Sequence, residues 1–322
     1  MKKFLILSII HLFLYANESI YIDAKLAIQM IEKRDVTFIS AEKIKKIIRG
    51  SKLIDTSSLF SSSVLGNMPC SPLYSCPSNI ERKLTELGVK RDNFLVLYDK
   101  SYGVYASTLY SILESIGHKN MSILNGGAEA ILKIDPNQKL YNKYMQEISN
   151  LTEKDKSVLD DIKKKLDILK PHLLVQKKYL DTVVIDKNES YQSSKLDKTF
   201  LLSSKDLREL VTQMQRGDKN VTIVDTCPMV DIVGNRYGNY EVGVSTFNWK
   251  KVIDIENKRL KSKEKLTTIF NSFPKEKQYA LYCMENSNKA LFLMTVMRYL
   301  GYNKVKAFTG NWSVWTRGKD EE

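Results

Sequence analysis

Histidine is nearly absent from this sequence, with three in 322 residues. His11 lies in the apolar N-terminal segment, which leaves only His118 and His172 beyond it. Two such residues do not supply a His-based metal centre or a nucleophile-histidine triad. His118 also stands beside Gly117, a helix-ending glycine, where a structural part accounts for it. Long apolar runs are missing too. Phe4 to Tyr15 is about a dozen residues, short of the roughly 20 that span a bilayer. Preceded by Lys2 and Lys3 and followed by Ala16 and the polar Asn17-Glu-Ser19, it reads as a signal peptide over residues 1–16. A retained anchor helix is the competing reading. The signal implies a bacterial protein, periplasmic or secreted, with no stable membrane anchor after cleavage. No cysteine sits near the cleavage point to carry a lipid.

Cysteine is scarce as well, with four in the chain. Cys70 and Cys76 flank a short proline-containing loop and are spaced either to close it as a local bridge or to stand as two free thiols. The sequence does not choose among the pairings that four cysteines permit, although an exported protein is where disulfides persist. The formal charge is +13, from 50 basic and 37 acidic side chains. The lysines are scattered, which describes a solvated basic surface that attracts anions rather than a nucleic-acid-binding arm.

What is present is a repeat. The apolar runs Phe94-Leu-Val-Leu-Tyr-Asp99 and Tyr279-Ala-Leu-Tyr-Cys283 end at equivalent points. Asp99, Ala106, Gly117 and Gly126 are matched by Cys283, Ala290, Gly301 and Gly310, each pair 184 residues apart. Matched spacing through a strand, a loop, a helix and a second strand implies a duplicated domain. The pattern predicts strands over Lys52–Asp55, Phe94–Tyr98 and Met121–Leu124 with a helix over Val104–Ile116. In the second half Val221–Asp225, Gln278–Tyr282, Lys304–Phe308 and the helix Asn288–Leu300 take those parts. Nearly continuous apolar strands and glycine-closed helices describe an α/β fold with parallel sheets covered on both faces. The expected division is 37–135, a linker over 136–198, and 199–322. Helical spacing of Val158, Leu159, Ile162, Leu166 and Leu169 predicts a helix from Glu153 to Leu169 in the linker, ended or kinked by Pro171.

Cys283 sits where a parallel sheet binds ligands, at the carboxyl end of a strand whose following loop opens onto a helix. Loop N–H groups and the helix dipole stabilise a thiolate or an anion there. The competing reading is a buried core cysteine. Cys227, at the end of the neighbouring strand, is expected to face the same mouth and to resolve an oxidised or persulfidated Cys283 as a disulfide, which requires Cα atoms within about 7 Å.

The second half resembles the tandem rhodaneses, the thiosulfate and 3-mercaptopyruvate sulfurtransferases. The residues that carry the resemblance are the Tyr-Cys283 strand end, the loop through Asn288, Lys289-Ala290, Leu300-Gly-Tyr302 and Phe308-Thr-Gly-Asn-Trp312-Ser-Val-Trp315. In the first half, Tyr98-Asp99, Gly117-His-Lys-Asn120 and Leu124-Asn-Gly-Gly127 resemble the non-catalytic domain. The resemblance implies two rhodanese-like domains, the second catalytic, joined by a partly helical linker. It implies a persulfide on Cys283, with Met284, Glu285, Asn286, Ser287, Asn288 and Lys289 around the substrate. It also implies a small sulfur donor, a thiol or cyanide-like acceptor and no cofactor. Nucleic acid is not expected as a partner, and the sequence leaves any protein partner open.

Asp99 at the equivalent position cannot carry sulfur, so one active site is expected. Three features depart from the family pattern: Asn286 where many relatives have glycine, Glu285 where many have a basic or small polar residue, and no arginine in Asp225-Thr-Cys-Pro-Met-Val-Asp231. Arg236 or Lys289 is the candidate to replace that arginine. Asn286 tolerates the left-handed backbone that the glycine would supply, whereas Glu285 and the missing arginine support the competing class, a catalytically weak binding or sulfane-carrier module. A phosphatase loop is disfavoured because its cation would be Lys289 rather than the forked guanidinium of arginine.

Overall fold

A computed structural model describes residues 19–31, 33–59, 77–151, 155–176, 190–193, 196–227, 243–284 and 287–310. The N-terminal segment 1–16, the Cys70/Cys76 loop and the tryptophans Trp312 and Trp315 lie outside the described residues. Among the described residues no helix is long and apolar enough to cross a membrane.

The first half contributes β1 (Tyr21–Ile22), β2 (Val36–Ser40), β3 (Ile47–Ile48), β4 (Lys52–Leu53), β5 (Phe94–Tyr98) and β6 (Met121–Leu124). All but β3 form one parallel sheet in the order β1-β6-β5-β2-β4. Following β7 (Val175–Gln176), the second half contributes β8 (Leu201–Leu202), β9 (Val221–Asp225), β10 (Ser245–Thr246), β11 (Ile253–Asp254), β12 (Arg259–Leu260), β13 (Gln278–Tyr282) and β14 (Val305–Phe308). Five of these form a second parallel sheet, β10-β9-β13-β14-β8. The central strands are apolar because helices cover both faces of each sheet, and every residue of β5 is buried.

The helices are α1 (Ala24–Met30), α2 (Thr56–Leu59), α3 (Pro77–Glu86), α4 (Val104–Ser115), α5 (Gly127–Ile134), α6 (Pro136–Ser149), α7 (Lys156–Leu169), α8 (Ser204–Gln215), α9 (Lys263–Ile269) and α10 (Asn288–Tyr299). The unit β5-α4-β6 recurs as β13-α10-β14 with every boundary shifted by 184 residues. Gly117 and Gly301 close the two helices in the left-handed region, at φ +83° and +89°, where a side chain would be strained.

The pairing corrects one strand assignment. On the side away from β6, the partner of β5 is β2, in register from Val36 opposite Phe94 to Ser40 opposite Tyr98. This matches β9 on β13, from Val221 opposite Gln278 to Asp225 opposite Tyr282. Val36–Ser40 is therefore the counterpart of Val221–Asp225. Lys52–Leu53, two half-buried residues at the sheet edge, are too short and too exposed to hold a central place. The first sheet also takes in Tyr21–Ile22, ahead of residue 37, because this short apolar pair covers the open edge of β6.

In the linker, α7 begins at Lys156, with Ile162, Leu166 and Leu169 buried, and Pro171 lies in the 3₁₀ turn Lys170–His172 that follows it. A second helix, α6, escaped the sequence reading. It starts with Pro136 in its first turn, and the Asp135 carboxylate accepts from Asn137 N at 2.9 Å. The other Asp135 oxygen accepts from Leu174 N at 2.9 Å, and β7 pairs antiparallel with β3, so the linker folds back on the first half.

The two halves pack α4 against α10, and one apolar cluster runs through both. Tyr21, Ser107 and Thr295 share buried hydroxyl bonds across this contact. Arg298 grips Glu114 with both terminal nitrogens, at 2.5 and 2.6 Å. These two residues occupy the same place in α10 and α4.

His118 is fully buried, with Nδ1 2.9 Å from the Tyr191 hydroxyl and Nε2 3.2 Å from the Asn93 carbonyl. A neutral ring with its proton on Nε2 satisfies both contacts, accepting from the tyrosine and donating to the carbonyl. Burial pushes its pKa from 6.5 down to about 4. Between those two values the unfolded chain binds a proton that the folded chain excludes. The neutral ring's contribution is therefore whole above about pH 6.5 and falls as the pH drops towards 4, by roughly 3 kcal/mol in all. Urea unfolding across that window should show a flatter pH dependence in His118→Gln than in wild type. Equal slopes would mean that the ring titrates alike in both states.

Candidate active site

Cys283 follows β13 directly, and Cys227 lies two residues beyond β9. The strands are neighbours, and local bonds hold their ends level. Thr226 donates to the Tyr282 carbonyl from both its N–H, at 2.8 Å, and its hydroxyl, at 2.9 Å. Cys227 N donates to the buried Asp225 carboxylate at 3.0 Å. Phe247 N and Trp249 N close the far side by donating to the carbonyls of Asp225 and Thr226, both at 2.8 Å. The two cysteines then meet. They form a disulfide with Cα atoms 5.3 Å apart, and both are buried.

The loop leaving Cys283 enters α10 at Asn288. Ser287 is buried, and its carbonyl accepts the first helical bond from Leu291 N at 2.9 Å. Met284 packs on the apolar cluster around Leu207 and Phe308. The Asn288 side chain turns to the other half, where its oxygen accepts from the Thr108 hydroxyl at 3.1 Å. Lys289 Nζ lies 6.0 Å from the centre of the Trp249 ring. Burial, with the nearby Lys250 charge, lowers the Lys289 pKa. Glu285, Asn286, Asp231 and Arg236 lie outside the described residues.

The first half holds a carboxyl side chain at this loop position. Asp99, the counterpart of Cys283, is buried and accepts four backbone N–H bonds, two from its own loop and two from the first turn of α4. Ser101 N and Gly103 N reach one oxygen at 3.0 and 2.9 Å, while Tyr105 N and Ala106 N reach the other at 3.0 and 3.4 Å. Burial raises the carboxyl pKa, and the four donors offset part of that effect. The two loops are not copies of each other: Gly103 enters α4 in a left-handed conformation, whereas Ser287 enters α10 in a right-handed one.

The structure brings Cys227, Cys283, Ser287 and Lys289 to one sheet end and directs Asn288 elsewhere. Sequence reading missed Thr226 and Trp249. Thr226 was visible only as a neighbour of Cys227. Trp249 arrives from a separate loop, with no spacing to announce it.

Two repeated parallel sheets, each with a strand-loop-helix unit at its centre, define a tandem rhodanese fold. No family model matches the chain, and no curated protein matches it by sequence. Solved structures do match. The 3-mercaptopyruvate sulfurtransferase SseA from Escherichia coli is similar with a TM-score of 0.65 at 16% identity, over 92% of this chain and 99% of that one. The yeast mitochondrial complex I sub-stoichiometric sulfur transferase subunit gives a TM-score of 0.64 at 17% identity, over 92% and 96%. Tum1 protein from Saccharomyces cerevisiae gives 0.63 at 15%, over 92% and 95%.

Proposed function

We propose that the chain is a sulfurtransferase that carries a sulfane sulfur as a persulfide on Cys283. The observation that supports this most is the place of Cys283, at the end of a central strand in front of the 12-residue helix α10. In the first half that same position holds a carboxyl group gripped by N–H groups of the loop and of the first turn of α4. The helix dipole and loop N–H groups favour a thiolate there. The thiolate attacks the sulfane sulfur of a donor, the donor leaves with the bonding electrons, and an acceptor thiol later takes the terminal sulfur. Met284 to Lys289 would surround the donor by their backbone, with Lys289 adding positive charge. The domain division and the exported location belong to this proposal, the second supported by the N-terminal order of Lys2 and Lys3, a short apolar run and Ala16.

Because Cys283 is bridged, sulfur loading should require prior reduction. Protein reduced with dithiothreitol, desalted and mixed with thiosulfate, 3-mercaptopyruvate or a polysulfide is expected to gain about 32 Da on Cys283, read by mass spectrometry. No gain with any donor sinks the reading. Among donors, thiosulfate should be poor. It is a dianion, and Glu285, two residues beyond the nucleophile, opposes it. Glu285→Lys should raise kcat/KM for thiosulfate selectively, and the gap between donors should narrow with added salt. A lysine variant no faster than a wild type that already prefers thiosulfate would remove the electrostatic argument.

A further inference from the structure

The geometry points to Cys227 as a resolving thiol that discharges the Cys283 persulfide and releases its sulfur as hydrosulfide. This rests on the persulfide reading above and adds a second sulfur to that site. Three observations carry it. The bridge consumes the candidate nucleophile itself, so a chain in this state cannot load sulfur until the bond is broken. The Cα separation of 5.3 Å lies within the range that a disulfide spans, so bridged and open forms can interconvert without moving the strands. Those strands are already held in register over five residue pairs and by the double bond from Thr226 to Tyr282, which brings the two sulfurs together independently of the bridge.

The step balances without an added oxidant. The Cys227 thiolate attacks the inner sulfur, Sγ of Cys283. The Cys227–Cys283 bond forms, and the bond from Cys283 to the terminal sulfur breaks. The terminal sulfur leaves with that electron pair and takes up the proton given up by the Cys227 thiol. The two cysteines together lose the two electrons that reduce the sulfane sulfur to hydrosulfide. Resetting the site needs a dithiol reductant, which exchanges with the bridge and returns both thiols. The expected cycle therefore runs from a sulfane donor and a dithiol to hydrosulfide and a disulfide.

The test compares wild type with Cys227→Ser. Each protein is reduced with dithiothreitol, desalted under nitrogen and loaded with inorganic tetrasulfide, and intact mass, peptide maps and free hydrosulfide are followed over time. In wild type, the gain of about 32 Da on Cys283 should decay to about 2 Da below the dithiol form as hydrosulfide appears in equal amount. Cys227→Ser should hold its added sulfur and release hydrosulfide only when dithiothreitol is added back. Wild type that keeps its persulfide as long as the variant, or a variant that discharges as fast, overturns the inference while leaving the persulfide reading in place. Failure of both chains to gain sulfur overturns both, and is told apart by the absence of any loaded species.

Discussion

Cys283→Ser is expected to abolish sulfur loading and to lower turnover by at least roughly a thousandfold, the scale on which loss of a covalent nucleophile is felt. The side chains are close in size, so the buried site is preserved. The serine hydroxyl, however, is protonated at neutral pH and is a weak nucleophile towards sulfur. The variant also loses the bridge to Cys227. Its stability should therefore be compared with that of reduced wild type, where the two unfolding curves are expected to lie close together. Turnover near the wild-type level in a folded serine variant would remove Cys283 from the chemistry. A variant that unfolds even against the reduced reference would assign the cysteine to the core.

Asp99→Ala should do the reverse, costing stability while sparing chemistry. The carboxylate gathers four N–H groups, from the loop and the first turn of α4, and its truncation leaves them without that acceptor. Unsatisfied buried donors cost about 1–3 kcal/mol each, and with some relief from entering water a total loss of roughly 3–5 kcal/mol is expected in urea unfolding. The loop has little freedom to close over the gap. A Cβ on Gly127, whose φ is +55°, would lie 2.2 Å from the Asp99 carbonyl oxygen, so the backbone there is already in contact. Asp99→Asn keeps one acceptor oxygen and should fall between wild type and alanine. Sulfur loading of Cys283, measured in the cold where the variant remains folded, should change by less than about twofold, because Asp99 belongs to the other half's loop. Lost turnover with unchanged stability would mean that the division of labour between the halves is misread.

The amino-acid sequence by itself determined the repeat. Apolar runs of strand length, helices ended by Gly117 and Gly301, and the common 184-residue offset are local patterns, and each is a preference of the backbone that needs no partner to be expressed. It also placed Cys283 at the mouth of a sheet and Asp99 at the equivalent point. Only the tertiary structure decided which strand lies beside β5. A two-residue segment such as Lys52–Leu53 and a five-residue one such as Val36–Ser40 compete for a place that depends on which faces can be buried. The return of the linker through β3 and β7 was decided in the same way. So was the meeting of Cys227 with Cys283, 56 residues apart in the chain and 5.3 Å apart at Cα, because that distance is set by strand order and register, properties of the packed sheet.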